Sequence, residues 1–238
     1  MLYLIGLGLN DERDIPLKGL EIAKKCICYA ELYTSNWQGS IEDLQVMISK
    51  KIKILKRGDL EDNLEDFVDE ARNEDIALFV PGDPLIATTH INVILEAKKR
   101  KVPVKVIHSS SIYSAIGETG LQIYKFGKTA TIPLGGSLQN VKKTVASNKK
   151  RGLHTLLLLD LDREVNIFMK VKDALNALLK KKIVKETNML VAFSRAGGES
   201  EIFYDSVKGL LWRDIKEPAV IIIPGKLHFM EREFLEMI

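Results

Sequence analysis

The stretch IALFVPGDPLIATT, residues 76–89, decides the fold. Five apolar or small residues, Ile76 to Val80, run straight into Pro81-Gly82-Asp83-Pro84. A second apolar pair, Leu85-Ile86, leads through Thr88-Thr89 into the helical pattern HINVILEAKKR. A short unbroken apolar run is the mark of a strand buried on both faces. Neither proline can donate a ladder hydrogen bond, so the strand stops at the turn. Gly82 permits a positive φ or a close approach, and Asp83 stands at the strand's mouth. Open α/β sheets bind ligands beyond the carboxyl ends of their strands, which sets Asp83 where a small molecule would sit. Taken alone, the spacing reads more simply as a strand-to-helix turn, which Pro, Gly and Asp favour for local reasons.

Working outward, the same alternation recurs. Leu2–Ile5 is an apolar run ending in Gly6-Leu7-Gly8-Leu9, and a helix begins near Pro16, a favoured first-turn residue. Ile27–Leu32 is the next run. Ser40 with Asp43 forms a capping pattern for a helix over Ile41–Ser49, followed by a short strand at Lys53–Leu55. The acidic segment 59–75 contains a helix with Leu64, Phe67, Val68 and Ala71 facing inward. After helix His90–Lys99 comes strand Val104–His108. Ser109-Ser110-Ser111 then caps a short helix, Ile112–Ile116, in a glycine-punctuated stretch where we place the domain junction. The predicted domains are 1–110 and 111–238. In the second, strands are expected at Thr129–Ile132, Leu153–Leu159, Met189–Phe193 and Val220–Ile223, with Ile202–Tyr204 as a hairpin partner. Helices fall at Leu138–Ala146 and along Val171, Ala174, Leu175, Leu178 and Leu179. Strands alternating with helices predict crossover units, so the fold class is α/β, two domains with mainly parallel sheets.

Composition narrows the function classes. At 238 residues and 46% hydrophobic, the chain can bury a real core. The net charge of +3 is thin, and the basic clusters 98–101, 149–151 and 180–182 close predicted helices, where cations suit the dipole. A nucleic-acid partner is therefore not expected. Two cysteines, Cys26 and Cys28, make no disulfide framework, and with four scattered histidines no metal site is expected. No run reaches membrane-spanning length and no signal peptide is evident, so a soluble, cytoplasmic protein is expected. Gly6–Asp11 lacks the third glycine of a dinucleotide fingerprint, and neither a P-loop nor a nucleophile elbow occurs. Four strand ends are marked by Gly or Pro: GLGL, PGDP, SRAGG and PGK. Spread over both halves, they predict a small-molecule cleft between two domains, with its ligand class open.

Longer strings carry a resemblance. LYLIGLGL, ELYTS (Glu31–Ser35), PGDPLIATTH (Pro81–His90), HSSSIYSAIGETGLQIYKFGKTATIP (His108–Pro133), RGLHTLLLLDL (Arg151–Leu161), SRAG (Ser194–Gly197) and IIIPGKLH (Ile221–His228) occur in order along nearly the whole chain. Together they resemble the diphthine synthases, within the wider tetrapyrrole methylase superfamily. The stretches following Pro133, Asp162–Lys182 and Gly197–Ile202 look trimmed against that pattern.

The resemblance implies a homodimer binding S-adenosylmethionine in an interdomain cleft. It also implies methylation of the amino group of a modified histidine on translation elongation factor 2. Cofactor contacts carry over onto Leu9, Asp83, Ile86, Ser111, Ile112, Leu159, Ala196 and His228, several through backbone groups. Read from the residues alone, the apolar members are ordinary core, Ser111 is as well a helix cap, and Asp83 hydrogen-bonds its own turn. Arg195 and Lys226 are candidate partners for a substrate carboxylate, and no residue identifies itself as the base. The alternatives are a methylase acting on a corrinoid or porphyrinoid precursor, and a non-catalytic module that binds the elongation factor.

Overall fold

The computed structural model describes residues 1–163 and 165–238. The chain forms two compact units, Met1–Ile112 and Tyr113–Ile238.

The first unit contains strands β1 (Leu2–Gly6), β2 (Ile27–Glu31), β3 (Ile52–Leu55), β4 (Ile76–Val80) and β5 (Val104–Ile107). Its helices are α1 (Leu17–Ala23), α2 (Ile41–Ile48), α3 (Arg57–Glu61), α4 (Leu64–Glu70) and α5 (Ile91–Lys99), with α6 (Ile112–Ala115) opening at its last residue. The strands pair in the order β3-β2-β4-β1-β5, all parallel. β4 is buried along its whole length, as its unbroken apolar run requires.

Period-two alternation sends its residues to both faces. Ile76, Leu78 and Val80 pack with Phe67 and Val68 of α4 and Val93 and Ala97 of α5. Ala77 and Phe79 pack on the other side with Ala23 of α1 and Leu44 and Ile48 of α2. Ser40 starts α2 by accepting a hydrogen bond from the Asp43 amide at 3.0 Å. Cys26 and Cys28 are free buried thiols, and burial pushes Cys28 up to about 11.

The second unit continues with β6 (Ala130–Ile132), α7 (Gln139–Lys150), β7 (Thr155–Leu159), β8 (Leu161–Asp162), β9 (Ile167–Phe168) and α8 (Val171–Lys180). It closes with β10 (Met189–Ser194), β11 (Glu201–Ser206), α9 (Val207–Leu210), β12 (Ala219–Ile223) and α10 (Phe229–Glu236). Five of its strands form a sheet in the order β11-β10-β12-β7-β6. The α/β class holds, but this sheet corrects the expectation of mainly parallel pairing: only β6 and β7 run parallel, and the other pairs are antiparallel. The physical reason lies in burial. Leu157, Ala192 and Ile221 face a core shared with α7, α8 and α9, while Leu156, Val191, Phe193 and Ile222 are buried on the opposite side. Strands covered on both faces read as continuous apolar runs whichever way they point. The expected hairpin is present, with Ile202–Tyr204 inside β11 against β10. The basic clusters lie at the carboxyl ends of α5, α7 and α8, where they complement the dipoles.

Candidate active site

In the first unit, β1 and β4 are neighbours whose onward connections leave in opposite directions. β1 passes through α1 to β2 on one side, and β4 passes through α5 to β5 on the other. The helices lie on opposite faces of the sheet, so a crevice opens at the carboxyl ends of these two strands, the switch point of an open α/β sheet.

Two glycines lock the crevice. The Gly8 amide donates to the Gly82 carbonyl at 3.2 Å, and the Gly82 amide donates to the Gly8 carbonyl at 2.7 Å. Both residues hold positive φ, 77° and 68°, which a side chain would strain. Gly6 is tighter still, since a Cβ there would lie 2.5 Å from the Gly82 carbonyl oxygen. Beside Gly82 there is room: a Cβ would meet only the Ser110 carbonyl oxygen, at 4.0 Å.

Asp83 is buried and closes its own turn by accepting from the Leu85 amide at 3.0 Å. It also reaches across to the end of β5. Its other oxygen accepts from the Ser109 amide at 3.3 Å and contacts His108 Nδ1 at 2.7 Å. The turn function and the inter-strand function therefore coexist. The Ile86 amide donates to the Asp83 carbonyl at 3.2 Å, and Ala87 follows with φ 57°. Leu9, Ile86 and Ile112 are half-buried, and Ser111 is buried with a polar partner of its own. Leu9, Asp83, Ile86, Ser111 and Ile112 thus come from the ends of three adjacent strands, β4, β1 and β5.

In the second unit, Leu159 ends β7 and Ala196 follows β10. Both strands run antiparallel to β12, so both residues leave the sheet at one edge, flanking the start of β12. The segment 224–228 leaves from the other end of β12, beside Gly152 and His154, so the sheet does not bring His228 to the edge shared by Leu159 and Ala196. The His228 side chain is exposed, accepts from the Met230 amide at 3.4 Å as the cap of α10, and lies against Phe229. Arg195, at φ 50°, is engaged with Glu199 at 3.5 Å and Glu201 at 3.4 Å. Exposed Lys226 gives its carbonyl to Lys125 Nζ at 2.8 Å.

One buried cluster holds the PGK turn and has no signature in residue spacing. Gly225 donates its amide to His154 Nδ1 at 2.9 Å, so Nε2 carries the ring proton toward Glu231 Oε1 at 3.0 Å. Glu231 also accepts from the Gln122 amide at 2.9 Å, the His228 amide at 2.6 Å and Lys125 Nζ. Burial alone would raise the Glu231 carboxyl, but Lys125, the two amides and His154 outweigh it and hold it at about 2. Burial lowers His154 despite the carboxylate. Among the described residues, no group of three or more His, Cys, Asp or Glu is placed to hold a metal.

Comparison with known proteins agrees with this architecture. The family model of the tetrapyrrole (corrin/porphyrin) methylases matches residues 1–209. A diphthine synthase of Methanocaldococcus jannaschii is 42% identical over 251 residues, covering 99% of this chain and 98% of its own. One from Methanococcus maripaludis is 41% identical over 249 residues, with the same coverage of both chains. The crystal structure of a diphthine synthase matches with a TM-score of 0.93 at 37% identity, covering 99% of this chain and 94% of that one. With glycine-locked strand ends at the switch point and relatives matched from end to end, the chain belongs to the tetrapyrrole methylase family, among its diphthine synthases.

Proposed function

We propose that the chain is an S-adenosylmethionine-dependent methyltransferase of diphthamide biosynthesis, acting on the amino group of the modified histidine of elongation factor 2. The observation that carries this reading is the 42% identity to a diphthine synthase across 99% of the chain. The structure of the first unit fits the cofactor. The open space beside Gly82 admits a ligand against the backbone, and the half-buried Leu9, Ile86 and Ile112 offer apolar contact around it. Within the first unit, Leu9, Asp83, Ile86, Ser111 and Ile112 would hold it.

When bound, S-adenosylmethionine supplies an electrophilic methyl group on a sulfonium. The remaining work is positioning. Holding the deprotonated amine in line with the methyl group would remove on the order of 7–11 kcal/mol of barrier. The Gly8–Gly82 lock and the Asp83 bridge to β5 keep the contact loops from shifting. We assign Arg195 to the substrate carboxylate, released from Glu199 and Glu201 as the substrate arrives; Lys226 lies beyond the opposite end of β12 and does not share that role. Incubation with cofactor and elongation factor 2 carrying the aminocarboxypropyl histidine is expected to add methyl mass at that one residue. Factor with an unmodified histidine should gain none. Intact-protein mass spectrometry decides it, and equal labelling of both forms, or labelling of a tetrapyrrole instead, would overturn the assignment.

The chain acts in the cytoplasm as a homodimer. The dimer reading is supported by exposed apolar side chains in the second unit: Tyr124 is 88% exposed, Phe229 70% and Met237 80%. Light scattering at micromolar concentration should give twice the chain mass of 26.8 kDa. A monomer would contradict it.

A further inference from the structure

Two residues of the matched strings, Glu31 of ELYTS and His90 of PGDPLIATTH, form a buried contact that the cofactor contacts named above do not use. We propose that Glu31 and His90 are positioning residues: a one-proton link between the ends of β2 and β4 that fixes the Pro84 carbonyl and, through it, the 81–90 turn in its cofactor-binding shape. This rests on the cofactor reading given above.

The geometry is a line of polar atoms closed off from solvent. Glu31 is 0% exposed and His90 1%. The Glu31 carboxyl accepts from the Tyr33 amide at 3.1 Å, the Thr34 amide at 3.2 Å and the Thr34 hydroxyl at 2.6 Å. Its Oε1 faces His90 Nε2 at 3.6 Å. His90 Nε2 has no hydrogen-bond partner among the described residues, which singles out that contact. On the other side of the ring, Nδ1 lies 3.3 Å from the Pro84 carbonyl, which also accepts the Thr88 hydroxyl at 2.6 Å. The turn that carries Asp83 and Ile86 therefore wraps around one carbonyl, and His90 is its inner support.

Counting hydrogens shows what the link requires. A carbonyl only accepts, so Nδ1 must carry a hydrogen to bond Pro84. The gap between Nε2 and Glu31 needs a second hydrogen, whether it resides on the carboxyl or on the ring. A neutral imidazole brings only one. With the extra proton, both contacts are donor to acceptor. Without it, one of them sets lone pair against lone pair. The ring then either repels Glu31 or turns its protonated nitrogen toward it and releases Pro84. Burial raises the Glu31 carboxyl to about 7, against the pull of Thr34, Tyr33 and Arg57, and lowers His90 to about 4. The extra proton thus resides on Glu31 and leaves near neutrality.

Arg57 of α3 faces the pair, over the Tyr33 ring at 5.3 Å, with Asp59 and Glu61 acting on Tyr33 from the same helix. Tyr33 is raised above its ordinary range, so the step near neutrality belongs to the link.

The test compares wild type with Glu31→Gln, whose side-chain amide donates to Nε2 at every pH while its carbonyl keeps the Tyr33 and Thr34 amides. Calorimetric titration with S-adenosylmethionine between pH 6 and pH 8 should show the wild-type Kd rising by about tenfold, the most one proton gives over one unit beyond its midpoint. The Kd of Glu31→Gln should not share this rise. Comparing the two proteins cancels every pH effect that they share. In parallel, the ¹⁵N resonances of His90 in wild type without cofactor should report hydrogen on Nδ1 at pH 6, shifting toward Nε2 above neutrality. That measurement needs no variant to fold. A wild type that binds with the same pH response as Glu31→Gln, or a His90 ring with hydrogen on Nε2 already at pH 6, overturns the proposal. Failure of both proteins to bind at every pH is a different outcome: it overturns the cofactor reading on which the positioning role stands.

Discussion

Gly6→Ala is expected to weaken cofactor binding by roughly 10- to 100-fold, the equivalent of the overpacking strain of about 1–3 kcal/mol that binding must restore when it returns the displaced loops to their contact positions, in a protein that still folds. The new Cβ would sit 2.5 Å from the Gly82 carbonyl oxygen, 2.7 Å from Ser109 Cβ and 3.1 Å from Pro84 Cδ. The carbonyl cannot simply retreat, because it accepts the Gly8 amide. One of the three strand-end loops must therefore move, and these loops carry Leu9, Asp83, Ile86, Ser111 and Ile112. Such overpacking costs about 1–3 kcal/mol, which a domain of ordinary stability survives. Gly117→Ala is the control, since a Cβ there meets only Ile123 Cδ1, at an ordinary 3.8 Å. Calorimetric titration and thermal unfolding of both variants test the expectation. A Gly6→Ala protein with wild-type affinity would refute it.

Glu231→Ala is expected to destabilise the second unit by about 3–5 kcal/mol, the scale for removing one partner of a buried pair. Both carboxylate oxygens are committed, and the substitution leaves buried His154 Nε2 and two amides without their acceptor, while half-buried Lys125 keeps only the Lys226 carbonyl. The pH dependence follows from the directions of the shifts. Glu231 is depressed, so its contribution is present above its ordinary value of 4.5 and is lost as pH falls toward about 2. His154 is also depressed: below 6.5 the unfolded chain takes a proton that the folded one resists, which again lowers stability in acid. Wild type should lose stability steadily from about pH 6.5 downward, and the variant should start lower with a shallower fall. Urea unfolding across that range measures both, and a loss under about 1 kcal/mol at pH 7 would show the cluster to be dispensable.

The two sheets differ in how much of them the residues announce. In the first unit, apolar runs, turn residues and helical stripes agree with parallel crossover units, and the pairing follows. In the second, LLLL of β7 and AVIII of β12 signal burial on both faces but carry no direction, so the antiparallel pairing was not legible. The site divides along similar lines. PGDP declares itself because Pro, Gly and Asp each do something local that the backbone needs. Asp83's grip on the end of β5 does not, since His108 lies 25 residues away. Glu231 and His154 are 77 residues apart and meet only because α10 returns to the start of β7. Contacts of that range leave no periodicity to read.

The strand order of the first sheet also bears on how the chain is made. β1 emerges ahead of β2, β3, β4 and β5, yet it pairs with β4 and β5, beginning with Leu2 against Ile76 and Val104. At roughly 5–20 residues per second, it waits several seconds for a neighbour. Through that interval LYLIG is an unpaired apolar edge beside the ribosome, while β2 and β3 can already meet each other. The segment that forms one wall of the crevice is therefore the one most exposed to mispairing at birth, and it is the part of the nascent chain where a holding chaperone has most to do.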